Sequence, residues 1–351
     1  MTPLLKQFDL VDTYKVLVAG HGYMACSVLE GLLQLPQVEI IGVFRWANRK
    51  QAIPYGLIEG EAELKYLTKA NQLWDITCSG INSYAFMEIV KEKKPHCILL
   101  ASWGEIVKPH MLSLPGVEFI NLHPSLLPAH RGGNPYTSVI RAGETQSGVS
   151  FHIVDEGIDT GPVLHQVAVP VLENDTGDTL RIRCAVAAKE GIISLIPRLI
   201  KAQQVGDTPK MLAVAQERLE NTQAASYFPV LSEADARIDW SDSPEAIERQ
   251  SRALTPWMPL VAMPVFSKFQ IKHTLLISRL ALKKNTTLAG IESDPGVLLA
   301  IDSGKLIISS QKPDTVFVIE AFQFCLDGHL LPKWLSRLVL PWVLQIGTRF
   351  S

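Results

Sequence analysis

The sequence predicts an α/β domain built on a mostly parallel sheet with helices on both faces, followed by a small, separate β-barrel domain. Three observations carry this expectation. From about residue 14 to 170, short β-branched runs alternate with helix-like segments. After residue 204 the chain turns polar and loses its periodicity. The remainder holds many short strands separated by Gly, Asn, Asp and Pro, the pattern of a compact barrel. A length of 351 residues suffices for two domains at roughly 100–200 residues each. The 47% hydrophobic and 19% charged fractions describe a chain that buries sizeable cores.

The expected strands of the first domain are VLVAG (16–20), VEIIGVF (38–44), CILLAS (97–102), VEFINL (117–122), GVSFHIV (148–154) and VLHQVAVPV (163–171). Between the first two, MACSVLEGLLQL has helical spacing and stops at Pro36; INSYAFMEIVKEKKP does the same and stops at Pro95. A long helix is expected over 178–204, capped by Asp175 or Asp178. Residues 14–204 thus form the first expected domain, 205–228 a linker and 229–351 the second domain. The second opens with a helix capped at Ser243 and continues with the strands FQIKH, LLISRLAL, GVLLAID, KLIISS and VFVIEAF.

Charge and targeting exclude several classes. Lys+Arg 33 against Asp+Glu 35 supplies no bulk field to attract nucleic acid or an anionic membrane, so such binding needs a local patch. The N-terminus is interrupted by Asp9 and Asp12 and lacks the basic start and unbroken apolar run of a signal peptide. No apolar stretch reaches the roughly 18–20 residues of a spanning helix. The nearest, WLSRLVLPWVLQ, carries Arg337 and Pro341 and reads as core packing. Five scattered cysteines without CxxC spacing fit buried thiols in a reducing, cytoplasmic compartment. No metal site is expected: His96 and Cys97 are adjacent and would point to opposite faces of a strand.

The first strand runs into Gly20-His21-Gly22-Tyr23-Met24-Ala25, which satisfies G-x-G-x-x-A where a dinucleotide fold cradles pyrophosphate on a helix N-terminus. The second strand ends at Phe44-Arg45, without the carboxylate that would hold the ribose of NAD. Arg45 could accept the 2′-phosphate of NADP, which keeps an NADP-dependent oxidoreductase as one reading; in the other, the glycines only allow a tight turn and close packing.

The richest stretch is FINLHPSLLPAHRGGNP (119–135). Asn121 and His123 alternate onto one face and place an amide and an imidazole side by side at the carboxyl edge of the sheet, where ligands of open parallel sheets collect. The Pro- and Gly-rich loop that follows looks shaped to approach a ligand. Further on, Asp159 lies in a Gly-bracketed turn, DEGIDTGP (155–162). An amide donor for an oxyanion, a titratable imidazole and a carboxylate to orient it suit acyl-group chemistry without a covalent enzyme intermediate. Singly, a histidine after a strand is usually structural and an Asp in a Gly turn usually a turn former; the joint pattern favours a site. A Ser-His-Asp hydrolase lacks its G-x-S-x-G elbow, and Ser125 follows a proline in a loop.

At Asn121-x-His123, Ser125-Leu126-Leu127-Pro128 and Asp159 the sequence resembles the folate-dependent formyltransferase family, whose order along the chain is kept. Within the family, the likeness extends furthest toward the branch acting on methionyl-initiator tRNA, through SYFPVLSEADARIDWSDSPEAIERQSRALTPW (226–257) and a tail that fits an OB-like barrel. The resemblance implies a Rossmann-like sheet in the formyltransferase fold and transfer of a formyl group from 10-formyltetrahydrofolate, a co-substrate, to a primary amine. It implies that Asn121 donates to the developing oxyanion, that His123 stabilises the tetrahedral intermediate or moves protons, and that Asp159 orients His123 or an ordered water. It also implies folate contacts at Trp103, Gly104, Glu105, Ile106 and Val107, at Ser125, Leu126, Leu127 and Pro128, and at Asp155 and Gly157.

The acceptor is where the sequence pulls two ways. In the segment expected to enter a tRNA acceptor stem, Arg45, Arg49 and Lys50 are followed at once by Glu59, Glu61 and Glu63. From 229 onward about thirteen Lys/Arg face about twelve Asp/Glu, nearly balanced where a phosphate-tracking domain should be basic. Initiator tRNA is the first expectation for the partner, and a small amine such as a nucleotide-linked amino sugar the alternative. A non-catalytic folate-binding protein and a formyl-folate hydrolase are further readings. The latter is disfavoured because only 13 residues precede the first strand. A monomer or weak dimer without membrane association is expected.

Overall fold

The structure, a computed structural model, describes residues 13–45, 60–219, 224–263, 273–284, 293–326 and 329–351. Seven strands form the first sheet: β1 (Tyr14–Gly20), β2 (Val38–Arg45), β3 (Asp75–Ile76), β4 (Cys97–Ala101), β5 (Glu118–His123), β7 (Gln146–Ile153) and β8 (Val163–Pro170). A two-residue strand outside it, β6 (Arg131–Gly132), pairs with β9 (Tyr227–Phe228). The sheet order is β3-β2-β1-β4-β5-β7-β8, parallel through β5, with β7 and β8 joined as an antiparallel hairpin. All six runs expected as strands in this half of the chain appear. The edge strand β3 is too short to leave a periodic signal.

Alternation sorts the apolar side chains to the two faces. Val16, Val18, Leu99 and Ile120 meet α1 (Gly22–Leu32), α5 (Pro135–Ala142) and α6 (Gly177–Gln204), with Leu64 of α2 (Glu61–Ala70) joining them. Leu17, Ile98, Leu100 and Phe119 pack against Phe86 and Val90 of α3 (Tyr84–Lys93) and Met111 of α4 (Pro109–Leu112). β4 is buried on both faces, which is why CILLA is an unbroken apolar run. Each such Leu, Ile or Phe contributes about 1.5–3 kcal/mol by leaving water.

The long helix starts one residue earlier than expected, and its cap is neither Asp175 nor Asp178. Thr176 Oγ1 accepts from the Thr179 amide at 3.2 Å, and Thr179 Oγ1 accepts from the Thr176 amide at 2.9 Å, a reciprocal capping box. Asp175 is occupied elsewhere: it pairs with Arg183 and accepts from the Leu172 amide. Asp178 sits in the first turn, where the helix dipole favours a negative charge.

The stretch expected as a linker carries α7 (Pro209–Leu212), a 3-10 turn at Gln216–Arg218 and β9, and it lies against the first sheet. Beyond it come α8 (Glu233–Ala236), α9 (Pro244–Leu254), β10 (Leu260–Ala262), β11 (His273–Lys284), β12 (Leu298–Asp302), β13 (Lys305–Ser309), β14 (Thr315–Leu326), β15 (His329–Leu330) and α10 (Lys333–Val343). Ser243 caps α9 as expected, accepting from the Ala246 amide. Of FQIKH only His273 lies within the described residues; the other four expected strands are present.

These strands form an antiparallel sheet in the order β10-β11-β14-β13-β12, around Trp240, Leu275, Leu306, Phe317 and Phe324. Its two edges are joined by the C-terminal segment. Leu298 and Gly296 of the β12 edge exchange backbone hydrogen bonds with Gly347, Thr348 and Phe350, and Ser351 exchanges two with Met263 beside β10. That segment is the closing stave of the barrel. Within WLSRLVLPWVLQ, Leu340 and Leu344 are buried in this core, whereas Trp334 at its start is exposed.

Candidate active site

Three short segments deliver the polar cluster. β5 ends with Asn121 and His123; β7 runs beside it so that Asn121 stands opposite His152 and His123 opposite Ser150. The turn between β7 and β8 then brings back Asp159, whose backbone is left-handed at φ +54°. Asp155 builds that turn, accepting from the Gly157 amide and the Thr160 hydroxyl.

Asp159 is the centre. Oδ1 accepts from Asn121 Nδ2 at 3.1 Å, and Oδ2 accepts from the Gly132 amide at 2.9 Å and lies 3.4 Å from His123 Nδ1. His123 Nε2 is 2.7 Å from the His130 carbonyl. A carbonyl can only accept, so Nε2 carries the proton and Nδ1 of the neutral ring is the nitrogen able to take up another. Burial pushes the His123 pKa down, against the opposing pull of the Asp159 charge. Burial alone would raise Asp159. The charge His123 carries when protonated, the contact of His152 Nε2 with Oδ1 at 3.4 Å, and the Gly132 amide outweigh it and hold the carboxyl well below its ordinary range.

His152 was not singled out from the sequence. Its Nδ1 is 2.9 Å from the Ile153 carbonyl, which in the neutral ring makes Nε2 the acceptor, 3.1 Å from Asn121 Nδ2; protonated, the same nitrogen faces Asp159 Oδ1 at 3.4 Å. Both Nδ2 hydrogens of Asn121 are therefore engaged, one by Asp159 and one by His152. The ionised carboxylate can only accept, which fixes the amide nitrogen on that side. Either hydrogen becomes available to another acceptor only when its present bond is given up. The signal for His152 in the sequence is slight: a histidine within an otherwise apolar strand, GVSFHIV.

The loop after β5 is held rather than open. Ser125 and Leu127 are buried; Ser125 Oγ donates to the Ala129 carbonyl at 2.7 Å, and Ser150 Oγ joins the Ser125 carbonyl to the Leu127 amide. Pro128 is buried as well, and Leu126 is half-buried against Gly148. Past it, Phe228 stacks on His130 at 5.2 Å, and Ser226 Oγ accepts from the His130 amide. Gly132, at φ +96°, lies so close to this segment that a Cβ would stand 2.2 Å from the Phe228 carbonyl.

The residues expected to contact folate differ in exposure. Ile106 is 67% exposed beside Gly104, whereas the Val107 side chain is buried in the core, leaving its backbone for any such contact. Trp103 packs on Phe44 at 5.0 Å, its ordinary packing role. The Glu105 carboxylate accepts from the Ile81 amide and Asn82 Nδ2 and so secures the 80–82 turn.

The dinucleotide reading fails on two observations. Gly60 rests on the start of α1, with its Cβ position 2.6 Å from the Tyr23 amide, where a pyrophosphate would have to lie. Arg45 is engaged by both Asp75 and Glu61, so it offers no free cation to a 2′-phosphate. Gly20 serves close packing: a Cβ there would meet the Ala101 carbonyl at 2.3 Å. Arg49 and Lys50 lie outside the described residues. Among the described residues, no group of three His, Cys, Asp or Glu could hold a metal ion, and no helix is long and apolar enough to cross a membrane.

Residues 15–196 match the formyl transferase family, and residues 230–325 match the formyl transferase C-terminal domain. The methionyl-tRNA formyltransferase of Pseudomonas fluorescens is 27% identical over 300 residues, 86% of either chain. That of Thermus thermophilus is 34% identical over 243 residues, 69% of this chain and 74% of its own. Among solved structures, an N-formyltransferase from Helicobacter canadensis, in complex with folinic acid and dTDP-3-aminofucose, superposes with a TM-score of 0.57. It is 20% identical and covers 88% of this chain and 99% of its own, a likeness of fold. HypX from Aquifex aeolicus, in complex with tetrahydrofolic acid, gives 0.57 at 15% identity over 96% of this chain and 50% of that one.

Proposed function

The chain belongs to the formyl transferase family, and on that premise we propose that it transfers the formyl group of 10-formyltetrahydrofolate to the amino group of methionyl-initiator tRNA. The observation that carries formyl transfer is the Asn121–His123–Asp159 cluster, with the buried His123 holding one ring nitrogen able to accept a proton beside a carboxylate held ionised.

In this reading the acceptor amine attacks the formyl carbon, a C–N bond forms and the carbonyl oxygen becomes an oxyanion. Asn121 exchanges its bond to His152 for one to that oxygen, at the moment when charge develops there. His123 Nδ1 takes up the proton lost by the amine, and Asp159 stabilises the imidazolium by its charge. The proton then passes to the folate nitrogen as its bond to the formyl carbon breaks, leaving tetrahydrofolate and a formamide. The exposed Ile106, Gly104 and the Asp155–Gly157 turn are the proposed contacts for the flat heterocycle, together with the backbone at Trp103, Glu105 and Val107 and the loop Ser125–Pro128.

The initiator-tRNA acceptor is supported by the methionyl-tRNA formyltransferase of Pseudomonas fluorescens, which aligns over 86% of both chains. A second reading, a small amine such as a nucleotide-linked amino sugar, is favoured by the pairing of charges on the second sheet. Arg279 and Lys305 share Glu320, Lys312 pairs with Glu245, and Arg349 with Asp294. A surface tracking phosphate keeps its cations for the backbone. The cleft of about 1090 Å³ between the two sheets mixes Arg249, Arg252 and Arg279 with Glu144, Glu173 and Glu248.

The deciding assay supplies formyl-folate with charged initiator tRNA or with a panel of nucleotide-linked amino sugars and follows folate absorbance. Turnover with the tRNA and a steep fall of its binding with salt is the expected result. Turnover with a small amine alone, with a nearly flat salt dependence for tRNA, establishes the second reading instead.

A further inference from the structure

Gln216 lies in the 3-10 turn of the stretch between the two sheets, yet it is only 1% exposed. Its Nε2 donates to the backbone carbonyls of Asp159 and Gly161, each at 2.8 Å. Its Oε1 accepts from Arg131 Nε at 3.0 Å and Nη2 at 2.6 Å. Every donor and acceptor of the amide is thus used. Arg131 in turn precedes Gly132, whose amide binds the Asp159 carboxylate at 2.9 Å. One buried side chain therefore ties together the two segments that aim the carboxylate: the turn on which Asp159 stands, in a left-handed conformation that L-residues seldom adopt, and the loop that supplies its backbone donor.

We propose that Gln216 is a positioning residue for Asp159, so that the segment joining the two sheets is a working part of the active site. Gln216 acts through Asp159 and His123. For its activity readout the proposal rests on the formyl-transfer reading; its geometric readout does not. The charged or titratable groups facing His123 are Asp159, His152 and His130. Asp159 is the one among them that holds a proton on the ring against burial, so misplacing it lowers the pH at which His123 titrates.

The test uses the full chain with Gln216→Glu and Gln216→Met. Glu keeps the acceptor toward Arg131, and gains an ion pair with it, but loses both N–H donors; Met keeps the shape alone. Both variants are expected to lower kcat at least tenfold, to leave KM for formyl-folate within threefold, and to move the NMR titration of His123 to lower pH, in the direction produced by Asp159→Asn. Adding Gln216→Glu to Asp159→Asn is expected to slow the enzyme no further, because both act on one element. Wild-type kcat and titration in both variants overturn the proposal. So does lost kcat with an unmoved titration, since Gln216 would then act otherwise than through Asp159. A displaced titration in a protein that formylates no acceptor supports the positioning and overturns the functional reading instead.

Discussion

Nδ1 of His123 stands 3.4 Å from Oδ2 of Asp159, while the other ring nitrogen is bound to the His130 carbonyl. The imidazole is thereby fixed in orientation and tautomer, with its proton-accepting nitrogen turned to the Asp159 carboxylate. Replacing His123 by Ala, or Asp159 by Asn, is expected to lower kcat by about 10²–10⁴-fold. Circular dichroism should show an intact fold. Transfer at the wild-type rate by His123→Ala would remove the imidazole from the mechanism.

The same pair sets a pH dependence of stability. His123 has a lowered pKa in the folded protein, so the unfolded chain binds more protons as pH falls below its ordinary value of about 6.5. Asp159 is also lowered, and its contribution is present above about pH 4 and lost on further acidification. Both signs agree: stability falls as the pH is taken down from neutrality. Urea midpoints measured from pH 7 to pH 4 should decline in the wild type, and the decline around pH 6 should be smaller in His123→Gln, the remainder coming from His165, which burial also lowers.

His152 should matter without touching substrate. Its Nε2 holds one hydrogen of the partly buried Asn121 amide, and its removal takes away that partner, at a cost of up to about 1–3 kcal/mol. His152→Ala is expected to lower kcat roughly tenfold or more through misorientation of Asn121. KM for formyl-folate should change little, and His152→Gln, which can still accept, should recover part of the loss. Equal activity of the wild type and His152→Ala would assign the histidine to packing alone.

The closing stave of the second sheet offers a test of the fold. Removal of residues 347–351 opens the sheet between β12 and β10 and exposes the surfaces covered by Phe350, itself 2% exposed. Losing that side chain alone should cost about 1.5–3 kcal/mol. Thermal unfolding followed by the fluorescence of Trp240, which packs against Phe350, should show an earlier transition. An unchanged midpoint would mean that the barrel holds without this segment.

Much of the fold was legible because its signals are local. CILLA and GVSFHIV are β-branched or apolar runs bounded by breakers, and the core faces follow from alternation. The capping of the long helix was misread because three polar residues compete within four positions, and only the pairing of Asp175 with Arg183 leaves Thr176 as the cap. Asn121, His123 and Asp159 were legible as a pattern of residue types. The exposure of Ile106 and the burial of Val107 were not legible, because adjacent apolar residues give no local sign of which one faces solvent.

By itself the sequence determined the α/β architecture, the β-rich second half and the residue types of the candidate site, since periodicity, turn chemistry and motif order are properties of neighbouring residues. Tertiary structure alone decided which of those groups meet. The antiparallel register of β5 and β7 sets His152 against Asn121, the folding back of the β7–β8 turn brings Asp159 to His123, and Gln216 reaches the same carboxylate's backbone from the segment between the sheets. These contacts join residues far apart in the chain, and they form because sheet register, close glycine approaches and the satisfaction of buried polar groups must all be met at once.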